Sequence, residues 1–532
     1  MRRCFMLAML LGLAVMSHAA QAQAQTLRLA SQGDLQTLDP HSQNESMTNM
    51  LNSEVYEFLI GRDRELMLVP QLALSWTQVS PLLWRFKLRP GVKFQDGTPF
   101  TADDVVFSFE RAKLPSSQLA VYAMATGTAK KIDPLTVDFQ LASVNPVFLQ
   151  HVAAINVMSK RWSEEHRVTR PLDFKNGEES YASFNANGTG PLMVVSRQPA
   201  IKTTYKRNPN WWGSYAGNVQ ELEFTPIAND ATRLAALISG GIDFVLDPAP
   251  RDLARLRTTE GIKVLDGPEN RIIFIAFDQA RDASPYVRVP DGKNAGKNPF
   301  KDLRVRRALY QAIDIETLKT KLMNGQSVPT GGLTPASIGA YDDPQIEARL
   351  PYDPAAARKL MQEAGYADGF EFTLDCPNNR YINDEKICLA LASMWAQLKL
   401  KVKVNAMPRV SYFPKVEKLD TSAYMYGWGG AVTDADVIMT PVFRNRGEKG
   451  VGAYNYGGWR NDKFDALAAQ SSVEGDPVKR EALVKAALLA FKEQVHMIPL
   501  HRQMIPWAMR SNVTAEHRAD NWLRVERVSL GR

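Results

Sequence analysis

Long apolar runs are scarce in this 532-residue chain. A membrane-crossing helix needs about 20 consecutive apolar residues, and no segment reaches that length, so a soluble mature protein is expected. Histidine is scarce too, at seven residues. His18, His41, His151, His166, His496, His501 and His517 form no pair at zincin spacing and read as leader, surface or packing residues. Runs of five or six like charges are missing, and the formal net charge of +7 is spread thinly, which argues against wholesale nucleic-acid binding. Enzyme signatures are missing as well. There is no phosphate-loop glycine-lysine motif, no paired-glycine dinucleotide fingerprint after a strand, no Gly-x-Ser-x-Gly elbow and no His-Glu-x-x-His. The carboxylate pairs Asp103-Asp104 and Asp342-Asp343 stand at helix starts or turns, where capping accounts for them better than acid-base work. No covalent chemistry, cofactor or metal site is expected.

Cysteine is limited to three residues. Cys4 belongs to the N-terminal segment, where Arg2 and Arg3 precede an apolar run from Phe5 to Met16 and small, polar residues lead to Ala22-Gln23-Ala24. This is the pattern of a secretory signal peptide over 1–24, with cleavage after Ala24 and sites after Ala20 or Ala22 as alternatives. Cys4 follows arginines rather than an apolar-small sequence, so no lipid anchor is expected, and export to a periplasm follows. Cys376 and Cys388 remain in a compartment that oxidises thiols. A disulfide closing this short loop and a pair of buried free thiols both stay open, since Cys388 sits within a helix pattern. Neither cysteine has a His or second Cys at zinc-ligand spacing.

What is present describes a large folded chain. Its length exceeds the roughly 100 to 200 residues of one domain, so two to four compact units are expected. With 45% hydrophobic residues, 22 Phe, 16 Tyr and 10 Trp, dominant disorder is excluded. Leu27 to Ala30 reads as a strand. Trp84, Phe86 and Leu88 alternate with Arg85, Lys87 and Arg89 as in a half-buried strand. Thr101 and Asp104 form a capping-box variant ahead of a helix from Val105 to Ala112. The run Ile272 to Phe277 suits a strand covered on both faces. Val305, Ala308, Leu309, Ala312 and Ile313 recur at helical spacing and leave Arg304, Arg306 and Arg307 off that stripe. Asp353-Pro354 starts a further helix and Gly365 ends it. Phe370–Leu374, 384–399 and 401–406 read as strand, helix and strand, a crossover with parallel strands. Ligands of open α/β sheets bind beyond the carboxyl ends of such strands. That rule singles out three loops: Gln32-Gly33, Asn378 to Tyr381, and Gly427 to Gly430.

The composition around those loops is of a binding type. Tyr424, Tyr426, Trp428, Tyr454, Tyr456 and Trp459 cluster with Gly427, Gly429, Gly430, Gly452, Gly457 and Gly458, and aromatic walls with bare backbone suit an amphipathic ligand. Core packing with tight turns is the competing account for Tyr424 and Tyr426. Trp428, between glycines, is the better ligand candidate. Arg380 is the one cation of its loop, able to hold a carboxylate through two charge-assisted hydrogen bonds or to stand as an ordinary surface charge.

Several stretches resemble the periplasmic solute-binding proteins of ABC importers, in the dipeptide, oligopeptide and nickel class. They include Leu38-Asp39-Pro40, Leu88 through Gly97 with its Arg-Pro-Gly-x-x-Phe-x-Asp-Gly turn, Thr101-Ala102-Asp103-Asp104-Val105 and Gly188-Thr189-Gly190-Pro191. Arg207-Asn208-Pro209, Leu303 through Ala308, Tyr352 through Ala357 and Gly427-Trp428 extend the likeness over essentially all the mature chain. The resemblance implies an α/β fold of two lobes with the ligand cleft between them and an extra subdomain, about 63–189, on the N-terminal lobe. Lobe one would comprise 25–276 plus 500–532 and lobe two 277–499, joined by crossings near Arg271 to Asp278 and Pro499 to Trp507. It further implies a monomer that captures a small organic solute, a short peptide or peptide-like carboxylate, and delivers it to the permease subunits and their ATPase, meeting the membrane only there. The ligand-binding residues would be Gln32, Gly33, Arg380, Tyr381, Tyr426, Gly427, Trp428, Gly429, Asp434 and Tyr454. One position departs from the family pattern. Peptide-binding relatives carry Gly-Trp-x-x-Asp, whose aspartate holds the ligand's amine, and here that position is Ala431; Asp434 or Asp436 is the expected replacement. A nickel-chelate cargo is the second reading and a secreted hydrolase the third, the latter lacking an activated nucleophile.

Overall fold

The computed structural model describes residues 25–290, 294–335, 343–429, 433–448 and 450–531. The leader expected over 1–24, Asp342, Gly430 and Ala431 lie outside these residues. Among the described residues no helix is long and apolar enough to cross a membrane.

The first strand, β1 (Thr26–Ser31), buries Leu27 and Leu29. Helix α1 (Ser46–Ser53) follows, started by Glu45, whose carboxylate accepts from the amides of Met47 and Thr48. The chain then builds a separate antiparallel sheet from β2 (Ala73–Ser80), β3 (Leu83–Leu88), β4 (Thr128–Asp133) and β5 (Thr136–Gln140), in the order β2-β3-β5-β4. Phe86 and Leu88 of β3 are buried, as their alternation predicts. Helix α2 (Ala102–Ala112) has the predicted capping box, with the Asp104 carboxylate accepting from the Thr101 amide at 2.9 Å.

The main sheet has 12 strands. After β6 (Leu192–Gln198), β7 (Lys202–Arg207), β8 (Glu221–Pro226) and β9 (Phe244–Val245) comes the long β10 (Ile262–Phe277). The second part of the chain contributes β11 (Val287–Arg288), β12 (Ser327–Pro329), β13 (Glu371–Pro377), β14 (Lys401–Met407), β15 (Ala423–Gly429) and a second long strand, β16 (Met497–Arg510). The path runs β11-β13-β15-β10-β16-β9-β1-β8-β7-β6, with β12 on β16 and β14 on β13.

The two long strands tie the halves of this sheet together. Ile262–Pro268 of β10 pairs antiparallel with Arg510–Met504, next to β9, whereas Ile272–Ala276 pairs with Arg502–Met497 and lies against β15. The register shifts between Pro268 and Ile272. In the second stretch Ile272, Phe274 and Ala276 enter one core while Ile273, Ile275 and Phe277 enter the other, so the strand is covered on both faces as the apolar run predicts.

The expected crossover is present. β13, helix α3 (Asp384–Trp395) and β14 form it, with parallel register from Glu371↔Lys401 to Pro377↔Met407. Ile387, Cys388, Leu391 and Trp395 are the buried stripe of α3. Cys376 at the end of β13 is disulfide-bonded to Cys388 in α3, which decides between the two states left open by the sequence. The helix Pro354–Glu363 starts on the Asp353 cap and is followed by Gly365 in the left-handed region. Arg306 differs from its pattern reading. It lies off the apolar stripe yet is buried, because its guanidinium donates to the carbonyls of Phe300, Gln494 and Val495.

Candidate functional site

Arg380 and Tyr381 stand on the loop between the disulfide's two cysteines. At the start of α3 the buried Asp384 carboxylate accepts from the amides of Arg380 at 2.9 Å and Tyr381 at 3.0 Å, fixing the loop. Burial pushes the Asp384 carboxyl up to about 7, against those amide hydrogen bonds. The Tyr381 hydroxyl in turn accepts from the Gly427 amide at 2.8 Å. A side chain at Gly427 would force its neighbours to shift: a Cβ would stand 2.7 Å from Ile273 Cδ1 and 2.8 Å from the Tyr381 ring. Trp428 follows with its indole N–H donated to the Val437 carbonyl at 3.2 Å and its ring edge-on to Tyr454 at 4.8 Å.

These groups wall a cleft between the two halves of the main sheet. Arg380, Tyr381, Tyr426, Gly427, Trp428 and Gly429 all line it. Helix α4 (Arg409–Glu417) adds Phe413 and Glu417. The opposite wall comes from Asn44, Glu45 and Asn49 around α1 and from Arg62, Gln118 and Tyr122 near the small sheet. Phe58 and Trp522, stacked at 6.3 Å, complete it. Aromatic surface interrupted by a few charged groups is the make-up of a site for a small amphipathic solute.

The charges of this wall are unevenly matched. Arg380 Nε lies 2.9 Å and Arg409 Nη1 3.1 Å from Glu45 Oε1, and all three side chains are buried. Burial alone would raise the Glu45 carboxyl, but the Arg409 and Arg380 guanidiniums and the Thr48 and Met47 amides overcome it and pull it down to about 2. Arg271 Nε donates to Glu269 at 2.8 Å, and the other Glu269 oxygen accepts from Gln503 at 2.6 Å. Arg62 donates to the Leu66 carbonyl, Thr433 and Gln150 but has no carboxylate within 4 Å among the described residues, and burial brings it down to about 10. Glu417 accepts from the Gln118 amide at 3.0 Å, and burial pushes its carboxyl up to about 7.

The remaining residues named from the sequence stand elsewhere. Gln32 and Gly33 lie where the halves meet, outside the cleft lining: Gln32 Nε2 donates to the Tyr381 carbonyl at 3.3 Å, and a Cβ on Gly33 would come within 2.6 Å of the Arg409 guanidinium. Tyr454 stands behind Trp428 and donates its hydroxyl to the Gln118 carbonyl at 2.7 Å. Asp434 is held by both terminal nitrogens of Arg480, at 2.7 and 2.9 Å, and Asp436 accepts from Thr440 beside His151. Neither lines the cleft. Glu45, Arg62, Arg271 and Glu417 were not named from the sequence. Glu417, between Lys415 and Lys418, has the pattern of a solvated helix face, and nothing local marks Glu45 or Arg62.

A sheet shared by two α/β halves, with a walled cleft between them and a small extra sheet on the first, defines a two-lobed solute-binding fold. The chain belongs to the bacterial extracellular solute-binding proteins, family 5, whose middle region it matches over residues 67–450. It is 28% identical over 513 residues to the glutathione-binding protein GsiB of Escherichia coli O1:K1, covering 94% of this chain and 93% of that one. The fold is similar to that of the periplasmic binding protein DppA of Helicobacter pylori in complex with the peptide STSA, with a TM-score of 0.83 at 21% identity over 95% of this chain and 98% of that one. It is also similar to a dipeptide-binding protein of Pseudoalteromonas sp. SM9913 in complex with Met-Leu, with a TM-score of 0.82 at 21% identity over 95% and 100% of the two chains. These relatives are binding proteins rather than enzymes.

Proposed function

We propose that this chain is the periplasmic capture component of an ABC importer for a peptide-like carboxylate, which it hands unaltered to permease subunits driven by their ATPase. The observation that carries this reading is the cleft itself, where Trp428, Tyr381 and Tyr426 share a wall with Arg62, Arg271 and Arg380. Relatives that bind glutathione or short peptides support the choice of ligand class. The lobes change over where β10 and β16 shift register, so that Ile272–Phe277 travels with β15 and lobe two while Ile262–Pro268 stays with lobe one. A ligand that touches both lobes only when they are closed biases the hinge by its differential affinity. Isothermal calorimetry of the mature protein against glutathione, di- and tripeptides and unrelated sugars tests the reading. Saturable binding of a peptide-like acid without turnover is expected. Binding confined to neutral sugars, or hydrolysis of the added peptide, would refute it.

A further inference from the structure

A ligand ammonium held in this cleft needs a carboxylate partner. An ammonium buried without one is costly enough to prevent tight binding. Four carboxylates come into question. Asp434 is spent on Arg480, and Asp436 faces Thr440 and His151; both lie outside the cleft. Glu45 lines the cleft but is held between Arg380 and Arg409. Glu417 lines the same cleft, from the last turn of α4, and no cation lies within 4 Å of it among the described residues. Its only hydrogen bond among these residues is from the neutral Gln118 amide.

The cationic side of the inventory is equally uneven. Arg271 is matched by Glu269. Arg62 has no matching carboxylate, and two guanidiniums share Glu45, which leaves Arg380 with unspent charge on the cleft wall. A closed cleft of this kind is electrically complete only around a guest with one positive and two negative groups.

Building on the solute-binding reading above, we propose that Glu417 holds the ligand's ammonium while Arg62 and Arg380 hold two carboxylates, so that the cargo is a small amino-acid-like compound with one ammonium and two carboxylates. Glutathione has this pattern of charges, as do γ-glutamyl and aspartyl dipeptides, whereas an ordinary dipeptide of neutral residues has one carboxylate too few.

The inference has a second signature. Burial pushes the Glu417 carboxyl up to about 7, and an ammonium against it would pull it down, so binding near neutral pH releases protons. The groups facing Glu417 from other elements are Lys175 and Asp173, and Tyr426, Tyr454 and Tyr456. The three tyrosine hydroxyls are held above their ordinary range by burial.

The test is calorimetry on the mature protein with glutathione, γ-glutamylglycine, aspartylglycine, alanylalanine and galactose, and with the N-acetylated form of whichever binds best. Acetylation should weaken binding to the wild type by about 100-fold, the scale of a buried charge pair, and change binding to Glu417→Gln by less than about threefold. Esterifying one carboxylate should likewise cost the wild type far more than Arg62→Gln. Proton release measured in buffers of different ionisation enthalpy needs no variant and should be near half a proton at pH 7. An equal acetylation penalty in wild type and Glu417→Gln overturns the assignment, and so does binding without proton release. If alanylalanine or galactose binds as tightly as the dicarboxylates, the inference falls while solute capture stands. If no member of the panel and no solute from a periplasmic extract binds, both fall.

Discussion

Glu45→Gln should open the molecule. In the division into lobes that the family resemblance implies, the Glu45 carboxylate, which also caps α1, belongs to lobe one, while Arg380 and Arg409 come from lobe two, on either side of β14. Two charges about 3 Å apart attract by about 5 kcal/mol at an effective dielectric of 20, before the cost of drying them. Glutamine removes the charge and keeps one of the two oxygens that cap the helix, Oε1 accepting from Met47 and Oε2 from Thr48, so part of the cap is lost in both forms. In the closed form the two guanidiniums would then be buried against a neutral amide, a penalty of about 3 to 5 kcal/mol. In the open form both regain water and pay nothing. The charge penalty therefore falls on closure alone and shifts that equilibrium by about 150- to 5,000-fold. Small-angle scattering and a fluorescence distance between labels on the two lobes should show expansion without ligand, and ligand affinity should fall by the same factor that closure loses. The thermal transition reports separately whether α1 survives. An unchanged interlobe distance together with unchanged affinity would refute the claim that this carboxylate fastens the lobes.

Replacing both Cys376 and Cys388 by serine releases a loop closed over a sequence separation of 12, which should cost about 3 kcal/mol in urea unfolding and also weaken ligand binding through the Arg380 loop; unchanged stability would refute the first part. Gly427→Ala drives a methyl into Ile273 and the Tyr381 ring, for an expected loss of about 1 to 3 kcal/mol, and a variant as stable as wild type would show that this wall yields. Acid should act on the fold in two stages. Burial holds His41 and His501 down at about 4 and His496 at about 3. The unfolded chain takes up those protons near pH 6.5 and the native one does not, so the histidines lower stability as pH falls from about 6.5 toward 4, while the buried carboxyls of Asp384 and Glu417, held at about 7, take up protons in the native state and oppose them over the same range. Glu45 is depressed to about 2, and its contribution is present above about 4.5 and lost as pH falls from there toward 2. Denaturant titrations between pH 8 and 4 in which His501→Gln shows the same pH slope as the wild type would contradict the histidine stage.

The elements with strong local signals were legible in the sequence, and so was part of the site. The capping box at Thr101, the β13-α3-β14 crossover and the doubly covered stretch of β10 each follow from periodicity or turn chemistry within a dozen or so residues. Arg380, Tyr381, Tyr426, Gly427, Trp428 and Gly429 were reachable because strand ends mark where an α/β sheet binds its guests, and all six line the cleft. The other wall was not reachable. Glu45 meets Arg380 and Arg409, and Arg62 meets Gln150 and Thr433, all far along the chain, relations that no local pattern encodes.

Ala431, where the family resemblance leads one to expect an aspartate, shows the same limit in a sharper form. Along the chain its natural replacements are Asp434 and Asp436, three and five residues on. In space those two carboxylates are already committed, one to Arg480 and the other beside His151 and Thr440. A carboxylate with a full set of partners gains little from a ligand ammonium, because it would surrender bonds of equal strength to make the new one. One without a cation gains the whole interaction. Along a wall of this kind, anchors are therefore identified by unspent charge rather than by sequence proximity, and that criterion selects Glu417 on α4 over both nearer aspartates.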